Sequence, residues 1–528
     1  MSNAFDPEAE KLLDAAKRAY AGGDKPGAAA LARQALLRRP GDASALQILG
    51  VVALDAGDAA SARRHLEASN AARPNAATFN MIGVAAGRMG DAAAAGEAFT
   101  RAGELGLVDG WRNLGVTEKG EAQVMAYQKA LEVAPNDAAS HAGLAQAFEA
   151  RHDLTSAKEH AATALRLDAS NVIARLALAR VLLREKDFAG AEAAVELVVQ
   201  SARTPAERRV QALGLVGDSR DRRDDAHGAF QAFTAANQIS LQLHGAWLDA
   251  TERLYHPASV RRMQDAVAGL DASGWTAASD ARSPVFLIGF PRSGTTLLDQ
   301  ILSSHSGIVC LEESEHFSEA LGDVISDPAR AFAPDALTDD EIVRIRGSYW
   351  RRVGDHGAPI VVDKYPLNIV VLPLIKRVFP NAKIIFALRD PRDVVLSCFQ
   401  QRFTINAAMA QFLELGRAGA YYDEVMALFE RCRERFDLDL HQVRYEDLVA
   451  NLETAARELC AFLGVSFETA MLNYRETALK RDIATPSARQ VIEPLYNRSI
   501  GRWRRYEEEL KPVLPVLAPW AERYGYTP

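Results

Sequence analysis

The sequence predicts a chain of two kinds of fold, an N-terminal all-α solenoid of paired helices and a C-terminal α/β domain built on a parallel sheet. Three observations carry this. The first 240 residues are alanine-rich and self-similar at a period of about 34 residues. From Ser283 onward, short apolar runs alternate with helical patterns, the signature of a parallel sheet. One of those runs, Val285-Phe286-Leu287-Ile288, leads straight into a glycine-bracketed loop, GFPRSGTT, that opens a helix.

The repeats come first. Ala28, Ala32 and Ala35 mark an opening unit before Pro40. The next units carry Leu49-Gly50, Ala62, Leu66 and Ser69, then Ile82-Gly83, Ala95, Phe99 and Ala102. A shorter unit runs from Trp111 and Leu114-Gly115 through Tyr127, Ala130 and Pro135. Three more follow, at Leu144-Ala145, Leu178-Ala179 and, in the seventh, Leu213-Gly214 with Ala226, Phe230 and Phe233. Small residues let paired helices approach closely, and larger ones fill the groove between neighbouring pairs. The pattern resembles the tetratricopeptide repeat (TPR), which implies a solenoid with a concave face. Such a face binds a peptide or protein partner, or the array serves as a spacer or self-association arm. The expected boundaries are a TPR solenoid over 1–240, a helical linker over 241–282 (helices at Leu241–Leu254 and Val260–Leu270, then DASGWTAASDARS) and the α/β domain over 283–528.

Composition narrows the function classes. Hydrophobic residues make up 48% of the chain and the net charge is −8, so nothing global suggests nucleic acid or an anionic membrane surface. Four cysteines with no CxxC spacing fit a reducing compartment. The opening MSNAFDPEAEKLL lacks a signal-peptide pattern, and no apolar run is long enough to span a bilayer. The expected location is the cytoplasm.

In the second module the strands are expected at Val285–Phe290, Ile360–Asp363, Lys383–Leu388 and His441–Tyr445, with further helices over Ala407–Phe436 and Asp447–Leu463. The loop after the first strand gathers Pro291, Arg292, Ser293, Gly294, Thr295 and Thr296. Backbone N–H groups and a helix start converge there on one point, which suits a phosphate, and Arg292 adds a permanent forked cation. Gly289 and Gly294 have the spacing of a Walker A loop, but Thr295 stands where its lysine belongs. An ordinary strand-to-helix turn has the same backbone signals. A nucleotide hydrolase or kinase, or a TPR scaffold whose second module binds a nucleotide without chemistry, are the readings from other classes.

A second anchor is KIIFALRDPRDVVLS. Asp390 sits at an N-cap and Pro391 at the first helical position, both structural roles. Arg389 at the carboxyl end of the strand and Ser397 two turns into the helix lie where open parallel sheets bind ligands. The segment VCLEESEHF offers Glu312, Glu313, Glu315 and His316 as acid–base candidates. In VVDKYPLN, Lys364 follows an apolar strand, and Asn368 either caps the next helix or reaches a substrate. No paired Cys/His spacing suggests a metal.

PRSGTT after a buried strand resembles the 5′-phosphosulfate loop of sulfotransferases, which use 3′-phosphoadenosine-5′-phosphosulfate (PAPS) and release 3′,5′-ADP. The resemblance covers Ser283 to the end and implies a P-loop-like sulfotransferase domain. It implies that Arg389 and Ser397 hold the donor's 3′-phosphate, and that Lys364 bonds the bridging oxygen of the leaving nucleotide. Glu313 falls where protein-tyrosine sulfotransferases carry a catalytic glutamate within a similar Glu-Glu pair, with His316 as second candidate for the base. Those enzymes have an arginine two residues after the glutamate, where this chain has Glu315. Tyr445 in VRYEDLV matches a position near the adenine. NRSIGRWRRY is similar to the C-terminal donor-binding loop, so Ser499, Gly501, Arg502 and Trp503 are expected over the donor. The acceptor this implies is a peptide tyrosine, with a saccharide hydroxyl as the alternative, and the transfer needs no metal.

Overall fold

The computed structural model describes residues 6–275, 282–480 and 499–527. They divide into two compact units, Met1–Arg208 and Arg209–Pro528, with the division inside one helix. The predicted seven repeats appear as seven consecutive helix pairs: α1 (Pro7–Ala21) with α2 (Lys25–Arg38), α3 (Ala43–Asp55) with α4 (Ala59–Ala72), α5 (Ala76–Arg88) with α6 (Ala92–Glu104), α7 (Val108–Thr117) with α8 (Gly120–Val133), α9 (Ala138–Ala150) with α10 (Leu154–Leu167), α11 (Val172–Arg184) with α12 (Phe188–Gln200), and α13 (Ala206–Arg222) with α14 (Ala226–His244).

In six of these pairs an aspartate starts the second helix, its carboxylate accepting an N–H of the first turn: Asp24, Asp58, Asp91, Asp153, Asp187 and Asp225. The short unit is the exception, because α8 begins at Lys119 without a side-chain cap and α7 has only 10 residues. Glycine lets the paired helices touch. A Cβ on Gly83 would sit 2.5 Å from the Phe99 ring, and one on Gly217 2.5 Å from the Phe233 ring. That second contact corrects the register expected for the seventh unit. Phe233 packs on Gly217, between buried Ala229 and Ala236, while Ala226 and Phe230 are only partly buried and Gly214 is buried against Arg402 instead, because α13 is 17 residues long and meets its partner three positions later.

The second unit holds a five-stranded, all-parallel sheet of β1 (Val285–Gly289), β2 (Ile308–Leu311), β3 (Ile360–Lys364), β4 (Lys383–Leu388) and β5 (Asp439–Arg444) in the order β2-β3-β1-β4-β5. Both faces of β1 are covered, as its uninterrupted apolar run requires. Phe286 and Ile288 face a core with Tyr349, Phe379 and Phe429, which also takes in Ala229 and Phe233 of α14. Val285 and Leu287 face Leu298, Ile301 and Leu459.

β2 was not anticipated; a four-residue strand is too short to show a period. The helix expected at Leu241–Leu254 is instead the end of α14, a 3₁₀ turn at Gly245–Asp249 and irregular chain, before α15 (Pro257–Ala268). Gly245 marks the break. Part of the expected linker, 276–281, lies outside the described residues. The span Ala407–Phe436 is a 3₁₀ turn started by the Asn406 side chain, then α21 (Leu415–Arg435) after an extended Glu414. Asp447–Leu463 is likewise split, into α22 (Tyr445–Ala450) and α23 (Leu452–Leu463), by Asn451, which caps the second. Tyr445 therefore opens a helix rather than closing β5.

Candidate active site

In this strand order the chain leaves β1 for β2 and β3 on one side, and returns to β4 and β5 on the other. The crevice at the carboxyl ends of β1 and β4 is thus a topological switch point, where such sheets bind ligands. Gly289 pairs with Ala387 across it, and a Cβ on Gly289 would meet the Ala387 carbonyl at 2.7 Å. The loop turns through Arg292 at φ 70° and Gly294 at φ 104°, and α16 (Thr295–Leu302) starts without a side-chain cap. Two left-handed residues within three positions are costly for a plain turn, Arg292 most of all. Gly294 is also fixed by a neighbour, since a Cβ there would lie 2.8 Å from the Tyr445 ring.

Both anchors meet at this loop. Arg292 donates from Nε to Ser397 Oγ on α20 (Pro391–Gln400) at 3.0 Å. Arg389 donates to the Arg292 carbonyl at 3.2 Å and to the Ser499 carbonyl at 2.5 Å, with its guanidinium 4.9 Å from the Tyr445 ring centre. Tyr445 and Ser499 share a hydroxyl–hydroxyl bond of 2.9 Å. Cys398 holds the loop from beneath, donating to the Pro291 carbonyl. Thr295 and Thr296 are buried at the head of α16. Asp390 caps α20 as expected, accepting from the Arg392 N–H. The residues present suit a phosphorylated donor: Ser293 Oγ and Arg389 Nε are buried polar atoms with no hydrogen-bond partner among the described residues, and an anion's oxygens would satisfy them.

The C-terminal segment closes over this crevice. Gly501 and Trp503 donate their N–H groups to the two oxygens of Asp393, at 2.7 and 2.8 Å. Arg502 points elsewhere: it pairs with Asp221 on α13 at 2.9 Å. Trp503 is buried, with Arg392 packed 4.0 Å over its ring. Arg498 of the same motif lies outside the described residues. Sequence reasoning missed both aspartates. Asp393 reads as an ordinary acid in the first turn of a helix, and Asp221 lies in a repeat far along the chain, so neither carries a local signal.

At the end of β3, Lys364 has a fully buried side chain, not the exposed turn position its neighbour Pro366 suggests. Its ammonium donates to Glu313 at 3.1 Å and lies 3.8 Å from buried Asp299. Glu313 is on the exposed side of that pair. Glu315 accepts from the Tyr365 hydroxyl at 3.1 Å. His316 starts α17 (His316–Gly322) and has Glu319, Arg352 and His356 as its charged neighbours; burial lowers its pKa. Glu313, not His316, is the residue brought to Lys364.

Asp363, one residue before Lys364, faces the other way and is buried. It accepts from Tyr349 at 3.0 Å and from Asn368 at 3.4 Å, so Asn368 supports the strand end. Burial raises its carboxyl to about 7. A carboxyl raised on folding contributes stability that is full below the unfolded value near 4 and is lost as pH climbs through 7. Asp363→Asn removes that loss. The variant's stability relative to wild type is expected to rise by a few kcal/mol, on the order of 1.4 kcal/mol per pH unit, between about pH 4 and 7 and then level off. Urea unfolding of both proteins at pH 5, 6.5 and 8 checks this.

Comparison with known proteins defines the class. Residues 284–469 match the Sulfotransferase family model, and residues 13–77 and 143–207 match the tetratricopeptide repeat model. The chain is a TPR-containing, sulfotransferase-like protein. It is similar to an uncharacterized protein of Aquifex aeolicus (29% identity over 61% of this chain and 43% of that one), and so spans less than half of that relative's length. It is also similar to protein-tyrosine sulfotransferase 1 of Danio rerio (27% identity over 46% of this chain and 72% of that one). A solved tetratricopeptide repeat protein from Parabacteroides merdae overlays with a TM-score of 0.36 at 15% identity, covering 44% of this chain and 94% of that one. No described helix is long and apolar enough to cross a membrane.

Proposed function

We propose that the protein transfers a sulfuryl group from PAPS to an acceptor hydroxyl. The observation that carries this reading is the union of two phosphate anchors at one crevice, through the Arg292–Ser397 contact and the Arg389 bond to the Arg292 carbonyl. Arg292, Ser293, Gly294, Thr295 and Thr296 hold the 5′-phosphosulfate. Arg389 and Ser397 hold the 3′-phosphate, and Tyr445, Ser499 and Trp503 border the nucleoside. The missing Walker lysine argues against an ATP hydrolase or kinase.

Glu313 accepts the proton of the acceptor hydroxyl, whose oxygen attacks sulfur in line. The bond from sulfur to the bridging oxygen breaks, 3′,5′-ADP leaves, and Lys364 offsets the charge growing on that oxygen. Arg292 stabilises the transferring group. The 3.1 Å contact between Glu313 and Lys364 supports this division of labour, since one short pair spans the acceptor and leaving-group sides. It also implies an exchange of partners, in which Lys364 turns to the donor as Glu313 turns to the acceptor.

Similarity to protein-tyrosine sulfotransferases and the Glu312-Glu313 pair favour a peptide tyrosine as acceptor. The repeats then provide a surface for the substrate protein or another partner. The test is transfer of label from [³⁵S]PAPS to a lysate. Protease-sensitive label at tyrosine supports the reading, glycosidase-sensitive label makes the enzyme a carbohydrate sulfotransferase, and no transfer at all contradicts sulfuryl transfer.

A further inference from the structure

The seventh helix pair has the repeat pattern of the others, yet one buried carboxylate on it is directed at the C-terminal segment of the other fold. Asp221, 7% exposed, collects three side chains of that segment. Arg502 reaches it at 2.9 Å, Tyr506 donates its hydroxyl at 2.6 Å, and Arg505 donates to its carbonyl at 2.7 Å. The same segment, a few residues earlier, touches the donor crevice: the Ser499 carbonyl accepts from Arg389 and the Ser499 hydroxyl bonds Tyr445. Asp393 fixes the middle of the segment through the Gly501 and Trp503 N–H groups. The loop therefore has three attachments in order along the chain, at the crevice, at the first turn of α20 and at α13.

The same face of α13 holds the far end of α20, the helix that presents Ser397. Asp218 pairs with Arg402 at 3.0 Å, and the Arg402 guanidinium lies so close over Gly214 that a Cβ there would collide with it. α14 adds Asn237, which donates to the Phe399 carbonyl at 2.9 Å. A plain structural repeat has no need to place two aspartates, one turn apart, on the two segments that frame one nucleotide crevice.

Resting on the donor reading above, we propose that Asp221 is a positioning residue for donor binding, acting through Arg502 and Tyr506 to hold the C-terminal loop over the crevice. The last helix pair is then part of the nucleotide site rather than of the repeat surface. Asp221 touches neither donor nor acceptor, so its effect falls on affinity for the donor and not on the chemical step. Asp221→Asn keeps the size of the side chain but removes the charge that orders two guanidiniums and a phenol.

The experiment is calorimetric titration of the full chain with 3′,5′-ADP, with steady-state kinetics in PAPS beside it. For Asp221→Asn the Kd and the KM for PAPS are expected to rise about tenfold or more, with kcat within about threefold. Asp221→Glu is expected to restore most of the affinity. Arg502→Ala is expected to weaken binding in the same direction, and the double variant Asp221→Asn/Arg502→Ala no further than Asp221→Asn alone, because the Arg502 contribution runs through Asp221. That cycle stays readable if one variant is less stable. If wild type binds 3′,5′-ADP and Asp221→Asn binds it equally well, or if the two substitutions add independently, the proposal is overturned while the donor reading stands. If wild type does not bind 3′,5′-ADP, the donor reading fails and takes the proposal with it.

Discussion

Glu313→Gln is expected to lower kcat by about a hundredfold or more while leaving the affinity for 3′,5′-ADP within about threefold of wild type. Glutamine keeps the size of the side chain and an oxygen that can accept from Lys364, at present 3.1 Å away, but it cannot take the acceptor's proton. The substitution thus separates proton removal from the architecture around it. Glu313 is also partly exposed, so the change costs the fold little. His316→Ala serves as the comparison: that ring sits among Glu319, Arg352 and His356, and its removal should leave kcat within a few-fold. A normal rate in Glu313→Gln, or a collapse in His316→Ala, would move the base to the other residue.

Lys364→Met carries the second large effect. Losing a cation aimed at a leaving oxygen is expected to reduce kcat by about 10²- to 10³-fold. Here the change also takes the ammonium from Asp299, which is fully buried 3.8 Å away, and removing one partner from a buried pair is destabilising, by up to roughly 3–5 kcal/mol. Asp299 keeps Ser303 and Gln300 as donors, which moderates the loss. The double substitution Lys364→Met/Asp299→Asn removes the carboxylate as well as the ammonium. Its thermal midpoint should recover while its turnover does not. Recovery of both would mean that Lys364 acts only on stability.

Local signals carried most of the fold and the first half of the site. The seven helix pairs follow from small residues repeating at fixed intervals, and each aspartate cap is a contact within three residues. The loop after β1 is equally local, as glycine spacing and an apolar strand are enough to place it. Arg389 and Ser397 could be named because one ends a strand and the other lies two turns into the helix that Asp390 caps, at the carboxyl edge of the sheet, in a spacing that resembles the sulfotransferase pattern. What escaped depended on distant partners or on very short elements. β2 has four residues and is defined by its pairing with β3. Lys364 could be placed after a strand, but its burial and its pairing with Asp299 on α16 and Glu313 beyond β2 depend on residues distant in sequence. Arg502 was expected over the donor and instead turns to Asp221, a pairing across 281 positions of sequence that no periodicity announces. The register of the seventh repeat slipped because the longer α13 offers two glycines, Gly214 and Gly217, and only packing decides which faces Phe233.

The most direct measurement is the calorimetric titration of wild type and Arg389→Ala with 3′,5′-ADP, with ATP as the competing nucleotide. Arg389 joins the loop after β1 to the C-terminal segment, and it does so from a buried position. The expected result is tight binding of 3′,5′-ADP by wild type, a loss of about a hundredfold or more in Arg389→Ala, and no comparable binding of ATP. Equal binding of ATP, or 3′,5′-ADP binding that survives the loss of Arg389, would contradict the assignment of this crevice to a 3′-phosphorylated sulfuryl donor.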